Sequence, residues 1–145
     1  MHRSQNATFH GPEPKSEGDR IRGGTIASYL SAHFTRDGWC VGDADCWRDA
    51  GYIFSMERSG DVLQIIITAY HGKPDCWILQ IAPARLPGFV RRWFGAVPSA
   101  SPDRVFRTAI ETQRILSENG FTGFRWCWDD LADGEHCDAE PPPPP

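Results

Sequence analysis

Residues 51–84 read GYIFSMERSGDVLQIIITAYHGKPDCWILQIAPA, and this stretch decides the fold. It contains three runs that are rich in β-branched and aromatic residues: Gly51–Arg58, Val62–His71 and Cys76–Ala84. Two short segments separate the runs, Ser59-Gly60-Asp61 and Gly72-Lys73-Pro74-Asp75. Because β-branched and aromatic residues favour strands while Gly, Pro and Asp favour tight turns, the stretch predicts an antiparallel meander of three strands.

The second strand of this meander carries apolar residues on both faces. Leu63, Ile65 and Ile67 alternate along one face, and Val62 and Ile66 lie on the other. A strand that is apolar on both faces is typical of the interior of a sheet. We therefore predict that this strand is central.

Helical patterns flank the meander on both sides. Thr25 is a suitable N-cap, and apolar residues at helical spacing follow it. Ser101 and Pro102 begin the second pattern as N-cap and first helical residue. Its apolar stripe consists of Val105, Phe106, Ala109, Ile110, Gln113 and Leu116. Thr122–Trp128 then alternates as a last strand.

These elements predict an α+β two-layer sandwich. We expect a four- or five-strand, mainly antiparallel sheet built on the meander 51–84, with two main helices on one face. The predicted core, where the sheet meets the second helix, consists of Ile65, Ile67, Leu79, Ile81, Phe106 and Ile110. Residues 39–47 are compatible with either a small hairpin or a loop.

Composition divides the chain into three parts. Residues 1–23 are polar and rich in Gly, Pro and charges, which predicts a mobile N-terminal arm. Residues 24–130 form the single α+β domain. Residues 131–145 combine acidic residues with five consecutive prolines, and we expect a disordered acidic and proline-rich tail.

The cysteine count and the apolar runs bear on localisation. The chain has five cysteines, an odd number, and its N-terminus lacks the apolar run of a signal peptide. No stretch has the length of a membrane span. We therefore predict a cytoplasmic protein that does not associate with membranes and whose cysteines are free thiols.

Several chemistries lack their required residues. The near-neutral domain offers no clustered basic face for nucleic acid. The order helix, three strands, helix, strand is shared with the PD-(D/E)xK nuclease core, but the third strand has neither the acidic residue nor the Lys that this chemistry needs. A zinc site can be drawn from His33, Cys40 and Cys46, although its Cys spacing is unusual. We predict no catalytic residues, no metal and no cofactor.

The strongest binding candidate is the segment 86–94, which reads LPGFVRRWF. Phe89, Arg91, Arg92 and Trp93 combine aromatic rings with arginines on a connection between elements. Aromatic residues and Arg are enriched at binding hot spots. These four residues are the predicted partner-binding surface.

The resulting functional prediction is a non-catalytic protein-binding module whose partner is another protein. In size, acidity and class the chain is similar to small immunity proteins and secretion chaperones. The alternative is a small-molecule-binding or enzymatic domain with an aromatic pocket between the sheet and the helices. A deep pocket lined by tryptophans would favour the alternative.

Overall fold

The computed structural model describes residues 3–12, 21–73, 75–84, 100–130 and 137–145. The helices within these residues are α1 (Gly24–Arg36) and α2 (Pro102–Glu118). The strands are β1 (Gln5–His10), β2 (Cys40–Val41), β3 (Asp45–Trp47), β4 (Gly51–Arg58), β5 (Asp61–Ala69), β6 (Cys76–Pro83) and β7 (Thr122–Trp128).

The predicted meander is confirmed as β4, β5 and β6. The turn between β4 and β5 contains Ser59 and Gly60, whose φ angles are 52° and 84°. Arg58 pairs with Asp61 across it. Two central residues with positive φ define the turn that fits the twist of an antiparallel hairpin, and Gly adopts this conformation without strain. The turn sequence therefore sets the register of the hairpin.

The strands form one antiparallel sheet in the order β2-β4-β5-β6-β1-β7, with β3 also paired to β4. The α+β sandwich is confirmed, and the sheet is larger than the predicted four or five strands. Residues 39–47 supply two of the additional strands, because β2 and β3 both pair with the outer edge of β4. β5 lies between β4 and β6, in the interior position that was predicted.

The prediction of a mobile arm over residues 1–23 is wrong for β1. This strand lies inside the sheet and pairs with both β6 and β7. Ala7 and Phe9 are buried in the core, where the ring of Phe9 stacks on that of Phe124. The composition of residues 1–23 does not predict this strand, because polar residues alternate with Ala7 and Phe9. One of them, Asn6, donates a hydrogen bond of 2.9 Å to the carbonyl of Asp130.

The predicted disordered tail is also corrected over residues 137–145. Asp138 forms an antiparallel bridge with Trp126 at the outer edge of β7. The neighbouring Cys137 is disulfide-bonded to Cys127, so these two cysteines are not the free thiols that were expected. Backbone pairing and a covalent bond offset the ordering entropy that composition alone suggested would prevail.

The core lies between one sheet face and the two helices. Ile65, Ile67, Leu79 and Ile81 are fully buried, as predicted. Ile110 is 46% exposed, so its assignment to the core is wrong, and Phe106 is only half-buried. The face of α2 that packs inward consists of Val105, Thr108, Ala109, Thr112, Ile115 and Leu116.

Two threonines explain why the buried face of α2 differs from the apolar stripe. The hydroxyl of Thr108 donates to the carbonyl of Arg104, and that of Thr112 donates to the carbonyl of Thr108. Each hydroxyl is therefore satisfied within the helix and can be buried at little cost. α2 begins as predicted, with Ser101 Oγ accepting from the Arg104 amide at 3.2 Å. α1 begins after Gly23 rather than at Thr25.

Candidate functional site

The sequence-predicted binding residues lie outside the described part of the chain. Phe89, Arg91, Arg92 and Trp93 all belong to the segment 85–99, for which the structure gives no placement. Their role therefore stays a prediction.

The fold does not bring together the candidate zinc ligands His33, Cys40 and Cys46. Cys40 lies opposite Glu57 on β4, whereas Cys46 lies opposite Tyr52 on the same strand. Five residues of strand separate these positions, a spacing of about 17 Å, so one ion cannot bind both thiols. Across the described ranges, no group of three or more His, Cys, Asp or Glu side chains could hold a metal ion.

A charged cluster connects the two helices. Arg114 donates to both carboxylate oxygens of Glu111 and also to Glu118, one turn away. The hydrogen bond from Arg114 lowers the pKa of Glu111, and the charges of Arg114 and His33 add to that effect against desolvation. His33 Nε2 lies 3.9 Å from Glu111, a distance that permits ion pairing but is too long for a hydrogen bond. This arrangement is a set of surface ion pairs.

Tryptophans at the interface between sheet and helices are packed into the core. Trp77 and Trp126 are fully buried. The Trp77 indole N–H donates to the carbonyl of Gly11 at 2.8 Å, and that of Trp126 donates to Gln113 Oε1 at 2.6 Å. A buried indole with its polar end satisfied is a structural residue. These side chains occupy the place where the alternative function requires a pocket.

The outer edges of the long strands β4 and β7 are paired to different extents. At one edge β2 and β3 pair with β4, and at the other Asp138 pairs with β7. Unpaired strand edges are the usual templates for the addition of a partner's strand. β4 thus presents little free backbone for such an addition, whereas among the described residues the outer edge of β7 is bridged at Trp126 alone.

The sheet face opposite the helices, which we term the open face, is not covered by either helix. Along each strand, the residues of this face alternate with those that point into the core. They include aliphatic, amide and hydroxyl side chains. The central residues of this face are Ile53, Val62, Gln64, Ile66, Thr68, Ile78, Gln80 and Ala82. Ile66 is buried at the centre, and the other seven side chains are half-buried. A shallow depression of about 330 Å³ lies on this face, and Trp47, Gln64, Ile66 and Gln80 contribute to its lining.

The tail contacts form a second candidate site, which we term the tail site. Trp128 Nε1 donates to the carbonyl oxygens of Pro142 and Pro143, each at 3.1 Å. Gln5 Nε2 donates to the same Pro142 oxygen at 2.7 Å. Sequence reasoning missed this site because it joins residues from opposite ends of the chain. The proline run and the Trp at the end of β7 were visible, but no local pattern connects them.

Comparison with known proteins adds no assignment, since no protein-family profile and no curated protein matches the sequence. Neither α1 nor α2, the helices of the described residues, is long and apolar enough to cross a membrane.

Proposed function

We propose that this chain is a non-catalytic protein-binding module that uses the open face of its sheet. The observation that carries the proposal is the contrast between the surfaces of the sheet. One face packs against both helices, whereas the open face presents mixed aliphatic and amide side chains. A partner that binds the sheet has this face to contact.

The chemistry of the open face fits a protein partner. Protein interfaces combine apolar side chains with hydrogen-bonding groups and contain few charges at their centre. Gln64 and Gln80 flank Ile66 and each offers both a donor and an acceptor. Trp47 lies at the rim of the depression with the Arg48 guanidinium 4.9 Å from its ring centroid. Trp and Arg are the residue types most enriched at hot spots.

The sequence adds a second contribution to this proposal. Phe89, Arg91, Arg92 and Trp93 have the composition of a hot spot, and we retain them as candidate partner contacts. Replacing Arg92 with Glu should weaken partner binding while stability changes by no more than about 0.5 kcal/mol. The free energy of unfolding and the partner affinity of this variant separate the two effects.

The test of the open face combines footprinting with matched substitutions. In the free protein, carbene labelling should modify Gln64, Gln80 and Trp47. A partner captured from the native host should reduce this labelling. Gln64→Arg and Gln80→Arg should each weaken capture at least about tenfold, because an unpaired charge at an interface centre costs several kcal/mol. Ala32→Arg, which places the same side chain on the exposed surface of α1, should leave capture unchanged.

Three results would contradict the proposal. Strong protection of the open face in the free monomer would mean that another part of the chain covers it. Protection that appears only as the protein dimerises, seen by sedimentation, would make the face a contact between copies. Equal loss of capture with Ala32→Arg would place the partner on the helix layer.

A further inference from the structure

The tail site is built from two neighbouring strands that place their donors side by side. Gln5 on β1 pairs with Trp128 on β7, so both side chains lie on the same face at adjacent positions. Gln5 is fully buried, and its Oε1 has no hydrogen-bond partner among the described residues. Buried polar atoms are normally satisfied. Because prolines have no N–H, the tail leaves this acceptor unpaired, and Gln5 contributes to the site through its Nε2 donor.

The orientation of Trp128 is fixed from its other side. The guanidinium of Arg3 lies 5.4 Å from the centroid of the Trp128 ring and forms a salt bridge of 2.9 Å with Asp129. The Ser4 carbonyl accepts from the Asp129 amide at 2.8 Å. The indole is thus held between β1 and the residue that follows β7, with its N–H directed at the tail.

The contacts recognise backbone rather than side chains. Trp128 donates to the carbonyl oxygens of Pro142 and Pro143, and the Pro142 oxygen also accepts from Gln5. Consecutive prolines favour the polyproline II helix, in which the carbonyls have no internal partners. An indole N–H that donates to such carbonyls is a common means of binding proline-rich segments in aromatic grooves. These hydrogen bonds therefore use carbonyl groups that any segment of this conformation offers.

The tail leaves part of the site unfilled. A cavity of about 440 Å³ lies beside Glu140 and Pro141, with Phe106, Ile110 and Gln113 of α2 in its lining. Ile110 is the exposed apolar residue that the core does not use. Arg114 also contributes to the lining, but its guanidinium is already paired with Glu111 and Glu118, so Phe106 and Ile110 provide the part of the cleft that an apolar side chain can use. A ligand with an apolar residue in place of Glu140 would bury more apolar surface there.

From these observations we propose that Trp128, Gln5 and the adjoining α2 cleft form a binding site for a proline-rich segment of a partner protein, which the chain's own tail occupies in the free state. The tethered tail has an effective concentration of order millimolar. A partner segment has to compete with it and gains affinity from an apolar residue before its prolines. This site is separate from the open face, so either proposal can fail alone.

The experiment uses the full chain with a silenced tail. In this variant Pro141–Pro145 are replaced by alternating Gly and Ser, so that Asp138 and the disulfide remain. The probes are fluorescent synthetic peptides with the sequence of residues 138–145, the same peptide with Glu140→Leu, and a control with every proline replaced by alanine. Fluorescence anisotropy measures binding, and the Trp128 indole N–H resonance reports where the peptide lies.

The silenced variant should bind the proline peptide, and the unmodified chain should bind it at least about tenfold more weakly because its own tail competes. The Glu140→Leu peptide should bind about fivefold or more tighter, as expected for burial of an aliphatic side chain. Trp128→Phe in the silenced variant should weaken binding at least about fivefold, since the ring remains but its N–H donor is lost. Trp47→Phe, on the open face, should change nothing.

Several results would overturn the proposal. One is a folded silenced variant that binds no proline peptide up to about millimolar concentration. Another is equal binding of the alanine peptide, which would show that polyproline conformation is not recognised. If Trp128→Phe does not fold, the indole resonance of the silenced variant decides: a shift of Trp128 on peptide addition supports the site, and an unshifted resonance with saturable binding contradicts it.

Discussion

Strands β4, β5 and β6 are connected by short turns and pair with their neighbours in the sequence, whereas β1 pairs with strands from the middle and the end of the chain. Arg58 pairs with Asp61 across two residues, while Gln5 pairs with both Ile81 and Trp128. The meander pairs through local hairpins. The strands β1 and β7 together with the tail, which we term the terminal half, have to close long loops before their pairs form. The terminal half must therefore gain its stability from burial rather than from local propensity.

The largest expected effect tests this conclusion on β1. Phe9→Ala should lower the free energy of unfolding by about 3–5 kcal/mol, because it removes a fully buried ring that packs on Phe121 and Phe124. Urea denaturation measures the loss. His10→Ala, the adjacent exposed position, should stay within about 0.5 kcal/mol. A loss below about 1 kcal/mol for Phe9→Ala would mean that β1 is dispensable, as its composition suggested.

The second prediction applies the same test to the meander. Ile67→Ala should cost about 2–5 kcal/mol, since Ile67 is fully buried on the central strand β5. Ile110→Ala is the matched control, because the same atoms are removed from a side chain that is 46% exposed. Its effect should be about 0.5 kcal/mol or less. Similar losses at the two positions would contradict the assignment of the β5 faces.

The comparison also explains which parts of the fold the sequence predicts. The three strands of the meander and β7 were predicted because each is marked by local alternation and adjacent turn residues. β1 was missed because the apolar alternation of Ala7 and Phe9 is interrupted by polar residues whose partners lie at the other end of the chain. The predicted buried face of α2 was partly wrong, because Thr108 and Thr112 satisfy their hydroxyls within the helix and can therefore be buried.

The candidate sites were harder to predict for a physical reason. The alternation of side chains along the strands predicts which residues share a face of the sheet. It does not reveal which of the two faces the helices cover. The tail site depends on Gln5, Trp128 and Pro142, which no window of sequence contains together. An odd number of cysteines does not identify which two of them pair, so the sequence does not predict the disulfide between Cys127 and Cys137.

The third prediction concerns the attachment of the tail within the terminal half. Cys137→Ser should lower stability by about 1–3 kcal/mol, the range expected when a disulfide that closes a loop of this length is removed. Differential scanning calorimetry under non-reducing conditions measures the change. Cys40→Ser alters an exposed free thiol and should have little effect. If both substitutions have the same small effect, or if reductant leaves the Tm unchanged, the disulfide does not stabilise this half.

The smallest expected effect concerns the ion pairs of Glu111, which lie on the helices and not in either half of the sheet. Arg114 and His33 hold the pKa of Glu111 below its ordinary value. A carboxyl whose pKa is lowered on folding contributes stability above its unfolded value, and this contribution is lost as the pH falls through the lowered folded value. The Glu111 contribution should therefore decline as the pH falls below the ordinary pKa of a glutamate, and it is lost once the carboxylate is protonated. Because the pair is largely solvent-exposed, Glu111→Gln should cost no more than about 0.5 kcal/mol at pH 7 and less near pH 3. Urea denaturation at the two pH values measures the difference, with Glu57→Gln on β4 as an exposed control. An equal cost at both pH values would show that the side chain acts through packing rather than charge.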